Sequence, residues 1–128
     1  PIASSAASDV YKRQQLNNIK DDDIILDIGP KTLDKIKRII ENSETVLWNG
    51  PAGYFENPNF ANGSYDIAKA ITKKNKNNTI YSVVGGGDTI ALINKIKLIE
   101  NFNFVSTAGG AFLEYLEGKE LPGIKALN

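Results

Sequence analysis

The sequence contains no cysteine and no histidine. Without cysteine there is no disulfide framework, thiolate ligand or thiol nucleophile; without histidine there is no imidazole base and no Cys/His zinc site. Any chemistry must use carboxylates, lysines, hydroxyls, backbone N–H groups or a bound metal. A charge imbalance is missing too. The 15 Lys and Arg offset 15 Asp and Glu, which argues against a nucleic-acid or anionic-membrane surface, since both need clustered positive charge. No apolar run approaches the roughly 20 residues that span a bilayer, and the first residues lack the basic start and apolar core of a secretory signal. The expectation is a cytoplasmic chain with neither nucleic acid nor membrane as partner. What remains is ordinary globular material: 128 residues, 41% hydrophobic and 23% charged, about one domain's worth.

Residues 1–14 (PIASSAASDVYKRQ) show no consistent apolar period, and Asp9 to Gln14 (DVYKRQ) resembles the translation of a transposon-end sequencing adapter. They are read as a non-native tail and excluded from fold reasoning. Residues 15–128 carry the fold.

One theme then repeats. Thr45 to Trp48 is a short β-branched and aromatic run stopped by Asn49-Gly50-Pro51; Thr79 to Val84 is a second, ending in Gly85-Gly86-Gly87-Asp88; Phe104 to Thr107 is a third, ending in Gly109-Gly110. Between them lie helical periods: Leu33, Ile36, Ile39 and Ile40 after Pro30; Ile67, Ala68, Ala70 and Ile71, closed by Lys73 and Lys74; Ile90, Ile93 and Ile96; and a short one at Leu113 and Leu116. A further strand is expected from Ile24 to Ile28, after a solvated turn at Asp21-Asp22-Asp23. Asn75 to Asn78 is expected to be an exposed connection, Trp48 a core residue, and Leu113, Tyr115 and Leu116 to pack a terminal helix rather than touch ligand. Alternating strands and helices predict an α/β fold: a parallel-sheet, Rossmann-like, three-layer arrangement with helices on both faces.

In such sheets ligands bind beyond the carboxyl ends of the strands, where all three glycine turns fall. A turn without Cβ atoms lets backbone N–H groups approach a phosphate, and the helix that follows adds about half a positive charge. An anion site is therefore expected, although neither the P-loop signature nor GxGxxG is present. Asp88 has two compatible readings: a helix N-cap, and an oxygen ligand for Mg²⁺, which takes one or two carboxylates plus substrate phosphates.

Five segments in order, LDIGPKT (Leu26 to Thr32), VLWNGPAGYFE (Val46 to Glu56), NFANGS (Asn59 to Ser64), VVGGGDT (Val83 to Thr89) and STAGGAFLEYLEGKELPGIKAL (Ser106 to Leu127), resemble the carboxyl-terminal part of phosphoglycerate kinase. The resemblance implies a cytoplasmic, monomeric glycolytic enzyme that transfers a phosphoryl group between 1,3-bisphosphoglycerate and ADP, giving 3-phosphoglycerate and ATP. It implies ATP/ADP and Mg²⁺ as cofactors, with Asp88 as the metal ligand and Gly85, Gly86, Gly87 and Thr89 at the nucleotide phosphates. Asn49 would lie near the phosphates, Glu56 at the ribose hydroxyls and Leu26 in the adenine pocket. Gly109 and Gly110 would meet the phosphoryl group in transit. Two departures stand out: Ala108 replaces the first of three family glycines, and Phe112 stands where the family often has Ser. The family's amino-terminal domain supplies an arginine for the glycerate substrate, and neither Arg13 nor Arg38 matches it. The isolated chain is therefore expected to be inactive. A non-catalytic nucleotide-binding module and a fold whose glycines serve turns alone are the alternatives.

Overall fold

A computed structural model describes residues 12–128. The assignment of residues 1–14 as a tail thus falls almost wholly outside the described residues, apart from its last three. Three strands, β1 (Thr45–Trp48), β2 (Tyr81–Gly85) and β3 (Phe104–Ser106), form one parallel sheet in the order β1-β2-β3. Five helices accompany them: α1 (Pro30–Glu41), α2 (Asn62–Lys76), α3 (Gly87–Lys95), α4 (Gly110–Leu116) and α5 (Pro122–Leu127). Helix α2 carries the chain from β1 to β2 and α3 from β2 to β3, as neighbouring parallel strands require. The expected parallel α/β sheet is met; of the helices expected on both faces, α1, α2 and α3 pack on one and α4 reaches the other at its rim.

Register explains what each face does. Trp48 lies opposite Val84, and Val84 opposite Val105. With Val46, these residues point to one face, where Leu33 and Ile40 of α1, Ile67 and Ile71 of α2, and Leu92 and Ile93 of α3 complete a single core. Trp48 is buried as expected. The other face carries Leu47, Tyr81 and Phe104, which are 43%, 52% and 50% exposed. Helix α4 reaches this second face at its carboxyl rim, where Phe112 Cδ1 sits 3.6 Å from where a Cβ on Gly85 would stand.

Helix ends are served by neighbours as well as by local caps. Pro30 opens α1 as anticipated. At its far end, Lys74 Nζ donates to the carbonyls of Ile40 (3.2 Å), Glu41 (2.7 Å) and Ser43. The cation at the end of α2 thus satisfies the orphan carbonyls of α1.

Three expectations need correction. Ile24 to Ile28 forms no ladder, and Ile24 and Ile25 are exposed. A β-branched run makes a strand by fitting a pleated, half-buried surface, and among the described residues no strand lies beside this one. Asn75 is not simply an exposed connector: it is half-buried, its Nδ2 donates to Asn101 O at 2.7 Å, and its Oδ1 accepts from Ser82 Oγ at 3.4 Å. This joins a part-buried network in which Asn103 Oδ1 accepts from the N–H of Ser82 at 2.8 Å and, at 3.1 Å, shares the Ser82 hydroxyl proton with Asn75. Tyr115 and Leu116 are exposed rather than packed, because α4 offers its inner side, with Phe112 and Leu113, to the rim.

The acidic turn is an ordered one. Asp23 Oδ2 accepts from the N–H of Lys20 at 3.0 Å and from Gln14 Nε2 at 3.1 Å. These bonds hold its carboxyl below the ordinary range, the Lys20 N–H contributing most. Among the described residues, no helix is long and apolar enough to cross a membrane.

Candidate functional site

Because the strands are parallel and Gly85 pairs with Ser106, the turns after β1, β2 and β3 share one rim. Asn49, the first residue beyond β1, lies half-buried between the first two turns. A Cβ at Gly85 would come 3.4 Å from Asn49 Nδ2, an ordinary contact, whereas one at Gly86 would come 2.7 Å from Asn49 Oδ1. Gly86 also has φ of +91°, so space and backbone both demand glycine there. Gly50, at φ +123°, donates its N–H to Thr89 Oγ1 at 3.0 Å. Thr89 is 1% exposed. Its hydroxyl oxygen accepts from the tip of β1, which leaves as donors its O–H proton and its backbone N–H, the latter in the first turn of α3 where no intrahelical acceptor exists.

Asp88 is the second residue of α3 and is exposed. It is not the N-cap; Gly86 occupies that position and makes no side-chain cap bond. The carboxylate instead stands in the first turn, where the positive end of the helix favours it. Cβ atoms built at Gly87, Gly109 and Gly110 would meet nothing within 4 Å, so the space before Asp88 and the third turn is open. Among the described residues no three Asp or Glu side chains gather into a ready-made metal cage. A single exposed carboxylate fits a hard cation whose remaining ligands are water and phosphate oxygens.

The third turn settles both departures noted in the sequence. Gly109 caps α4 with φ of 53° and ψ of −117°, a conformation suited to glycine. Ala108 has no positive φ, and its N–H donates to Ser106 Oγ at 3.3 Å. Its methyl group is therefore tolerated without strain. Phe112 offers no hydroxyl but closes the rim over Gly85.

Leu26 and Glu56 lie on two other segments, the stretch before α1 and the loop after β1. Leu26 is half-buried, and its carbonyl accepts from the Tyr54 N–H at 2.9 Å. It lines a groove of about 560 Å³ with Ile25, Gly29, Leu33, Phe60 and Gly63. Glu56 is exposed on the loop that runs from β1 to α2. The structure thus gathers Asn49, Gly85, Gly86 and Thr89 in direct contact and puts Gly87, Asp88, Gly109 and Gly110 on the same rim. It links Leu26 and Glu56 to that rim through residues 49–57. Sequence reasoning missed Asp27, whose Oδ2 accepts from the Gly63 N–H at 3.0 Å and whose Oδ1 accepts from Ile28 N–H at 2.8 Å. The available signal was that α2 opens on Ala61-Asn62-Gly63 without a side-chain cap of its own.

A family model described as phosphoglycerate kinase matches residues 2–119. The chain belongs to the phosphoglycerate kinase family. The phosphoglycerate kinase of Orientia tsutsugamushi (strain Ikeda) is 52% identical over 103 residues, which is 80% of this chain and 25% of that protein. That of Chlorobium phaeobacteroides is 49% identical over 127 residues, 99% of this chain and 31% of the relative. Among solved structures, phosphoglycerate kinase from Coxiella burnetii superposes with a TM-score of 0.79 at 43% identity, over 90% of this chain and 29% of that one. The enzyme from Pyrococcus horikoshii gives 0.69 at 39% identity, over 81% and 24%. The chain spans between a quarter and a third of the length of these phosphoglycerate kinases.

Proposed function

We propose that this chain carries part of the metal-nucleotide site of a cytoplasmic, monomeric phosphoglycerate kinase, the glycolytic enzyme that transfers a phosphoryl group between 1,3-bisphosphoglycerate and ADP to give 3-phosphoglycerate and ATP. The supporting observation is the shared rim: an open carboxylate, Asp88, beside glycine turns held in place by Asn49 and by the Gly50–Thr89 bond. Phosphoryl transfer asks little covalent chemistry of a protein and depends on alignment and on countering charge spread over the phosphate oxygens. Backbone donors serve that purpose. The N–H groups of Gly87, Asp88 and Thr89 open α3 with no intrahelical partners and suit the nucleotide phosphates. The turn at Gly109 and Gly110 is left open for the transferring group.

Asp88 would hold Mg²⁺, which when bound neutralises phosphate charge. Leu26 would face the base and Glu56 the ribose hydroxyls. The glycerate substrate belongs to residues outside this sequence; its two arginines are Arg13 and Arg38, and Arg38 lies on α1. The chain alone is therefore proposed to bind Mg·nucleotide without turning over.

Calorimetric titration with ADP, in Mg²⁺ and then in EDTA, tests this. The expected result is metal-dependent binding, weakened at least tenfold in Asp88→Ala, with no ATP formed from 1,3-bisphosphoglycerate. Binding indifferent to both metal and Asp88, or sustained ATP formation, would refute it.

A further inference from the structure

The groups assigned to the nucleotide fall into two clusters with separate supports. The phosphate side rests on the strand tips and on the Gly50–Thr89 bond. The base side rests on residues 26–28, which are wedged between the loop after β1 and the start of α2. One side chain sits at the centre of that wedge. Asp27 uses both carboxylate oxygens, one on its own neighbour Ile28 at 2.8 Å and one on Gly63 at 3.0 Å, 36 residues away. It thereby supplies, from outside the helix, the acceptor that Ala61 does not provide at the α2 amino end.

Two glycines record how closely the parts fit. A Cβ at Gly53 would stand 2.6 Å from Leu26 O, 2.7 Å from Asp27 Oδ1 and 2.9 Å from Phe60 O. A Cβ at Gly63 would collide with the Asp27 carboxylate and with Ile28 Cγ1. Tyr54 N–H donates to Leu26 O at 2.9 Å, and on the other side Ala52 N–H donates to Ser64 Oγ at 2.8 Å. The loop that carries Glu56 is thus pinned to Leu26 on one side and to α2 on the other. Asp27 joins the two pins.

From this we infer that Asp27 is a positioning residue for base and ribose recognition: it sets Leu26 against the Glu56 loop and leaves the phosphate side untouched. The inference rests on the nucleotide reading above. It divides the affinity for ADP into two parts that one substitution can separate. A general stabilising role would not make that division.

The 128-residue chain and its Asp27→Ala and Asp27→Asn variants are titrated, in Mg²⁺, with ADP and with inorganic pyrophosphate, which has phosphates but no base or ribose. Asp27→Ala is expected to weaken ADP about tenfold, equivalent to about 1.4 kcal/mol, while pyrophosphate affinity changes less than about twofold. Asp27→Asn, which keeps one oxygen acceptor, should fall between. Amide exchange at Tyr54 and Gly63 is followed in the same samples and should accelerate in the Asn variant while β2 amides do not. Equal losses for both probes, or no loss for either, would overturn the inference, as would unchanged exchange at Tyr54. If Asp27→Ala does not fold, the Asn variant carries both readouts. If the wild-type chain binds pyrophosphate and ADP equally, the base-binding reading fails, and the exchange data still decide whether Asp27 holds the loop.

Discussion

The Gly50 backbone N–H and the Thr89 hydroxyl, 39 residues apart, meet at 3.0 Å and tie the tip of β1 to the first turn of α3. Thr89 is among the most completely buried polar residues, whereas Gly50 is exposed, so the bond is shielded on one side only. Thr89→Val keeps the shape, removes the acceptor and leaves the Gly50 N–H without its partner. A part-buried donor stranded in this way costs about 0.5–1.5 kcal/mol, less than a fully buried one. Urea unfolding should show a loss in that range for Thr89→Val and a smaller one for Thr89→Ser, which retains the oxygen.

Asp88 is expected to behave unlike a capping residue. Removing a true N-cap side chain costs about 1 kcal/mol, up to 2. Gly86 holds the N-cap position and Asp88 lies two residues beyond it in the first turn, exposed, so Asp88→Asn removes a helix-dipole interaction of about 0.3–1 kcal/mol. Melting curves should record a small change, whereas Mg²⁺-dependent ADP affinity should drop at least tenfold. A large melting loss with unchanged affinity would return Asp88 to a structural role.

The third turn predicts opposite outcomes for adjacent residues. Gly109 sits at φ 53° and ψ −117°, a region essentially closed to side chains, so Gly109→Ala should destabilise by about 1–3 kcal/mol. Gly110→Ala has open space and an ordinary φ and should be near neutral or mildly stabilising, because alanine favours a helix. Ala108→Gly should lower stability by up to about 1 kcal/mol by widening the unfolded ensemble. Chemical denaturation of the three variants checks the ordering.

The parts of this fold that were legible in the sequence are those governed by local rules. Strand β1, the glycine turns and the starts of α1 and α3 follow from β-branched runs, turn residues and Pro30, and the parallel order follows from their alternation. Gly85 to Gly87 and Gly109 to Gly110 could be placed on one rim because parallel strands end on the same side. What could not be read was set by long-range partners. Ile24 to Ile28 has the composition of a strand, but ladder formation depends on a neighbour. Lys74 and Asp27 each cap a helix other than the one suggested by sequence position, and nothing local announces which helix that will be. The buried hydroxyl of Thr89 belongs to the same class: the bond it accepts from Gly50, 39 residues away, is announced by nothing in the motif.

Asp23 gives a pH dependence with a definite sign. Its folded-state carboxyl is held below the ordinary range by the Lys20 N–H first and the Gln14 amide second. A carboxyl lowered in the folded state contributes stability above its unfolded pKa and loses that contribution as pH falls through the folded value. Both bonds lie at the surface, so the effect is small. Asp23→Asn should bring variant and wild-type stabilities together as pH drops below the ordinary carboxylate range. A difference that grows on acidification would contradict the sign.

The bare face of the sheet makes the last prediction. Leu47 pairs with Val83 and Val83 with Phe104, so these three form one apolar row across all strands, with Tyr81 on the same face two residues before Val83. Leu47, Tyr81 and Phe104 are roughly half exposed, and contiguous apolar surface of this kind drives association. Parallel sheets are ordinarily covered on both faces, and among the described residues this row has only partial cover. Sedimentation velocity should therefore show concentration-dependent self-association, strengthened by sulfate, which favours apolar burial. Replacing Leu47 and Phe104 together by Lys should suppress it by placing like charges on the row. Each site is already open to water, so each change should alter unfolding free energy by no more than about 0.5 kcal/mol. Association that persists unchanged in the double variant would locate the contact elsewhere, on the exposed residues of α4 and α5.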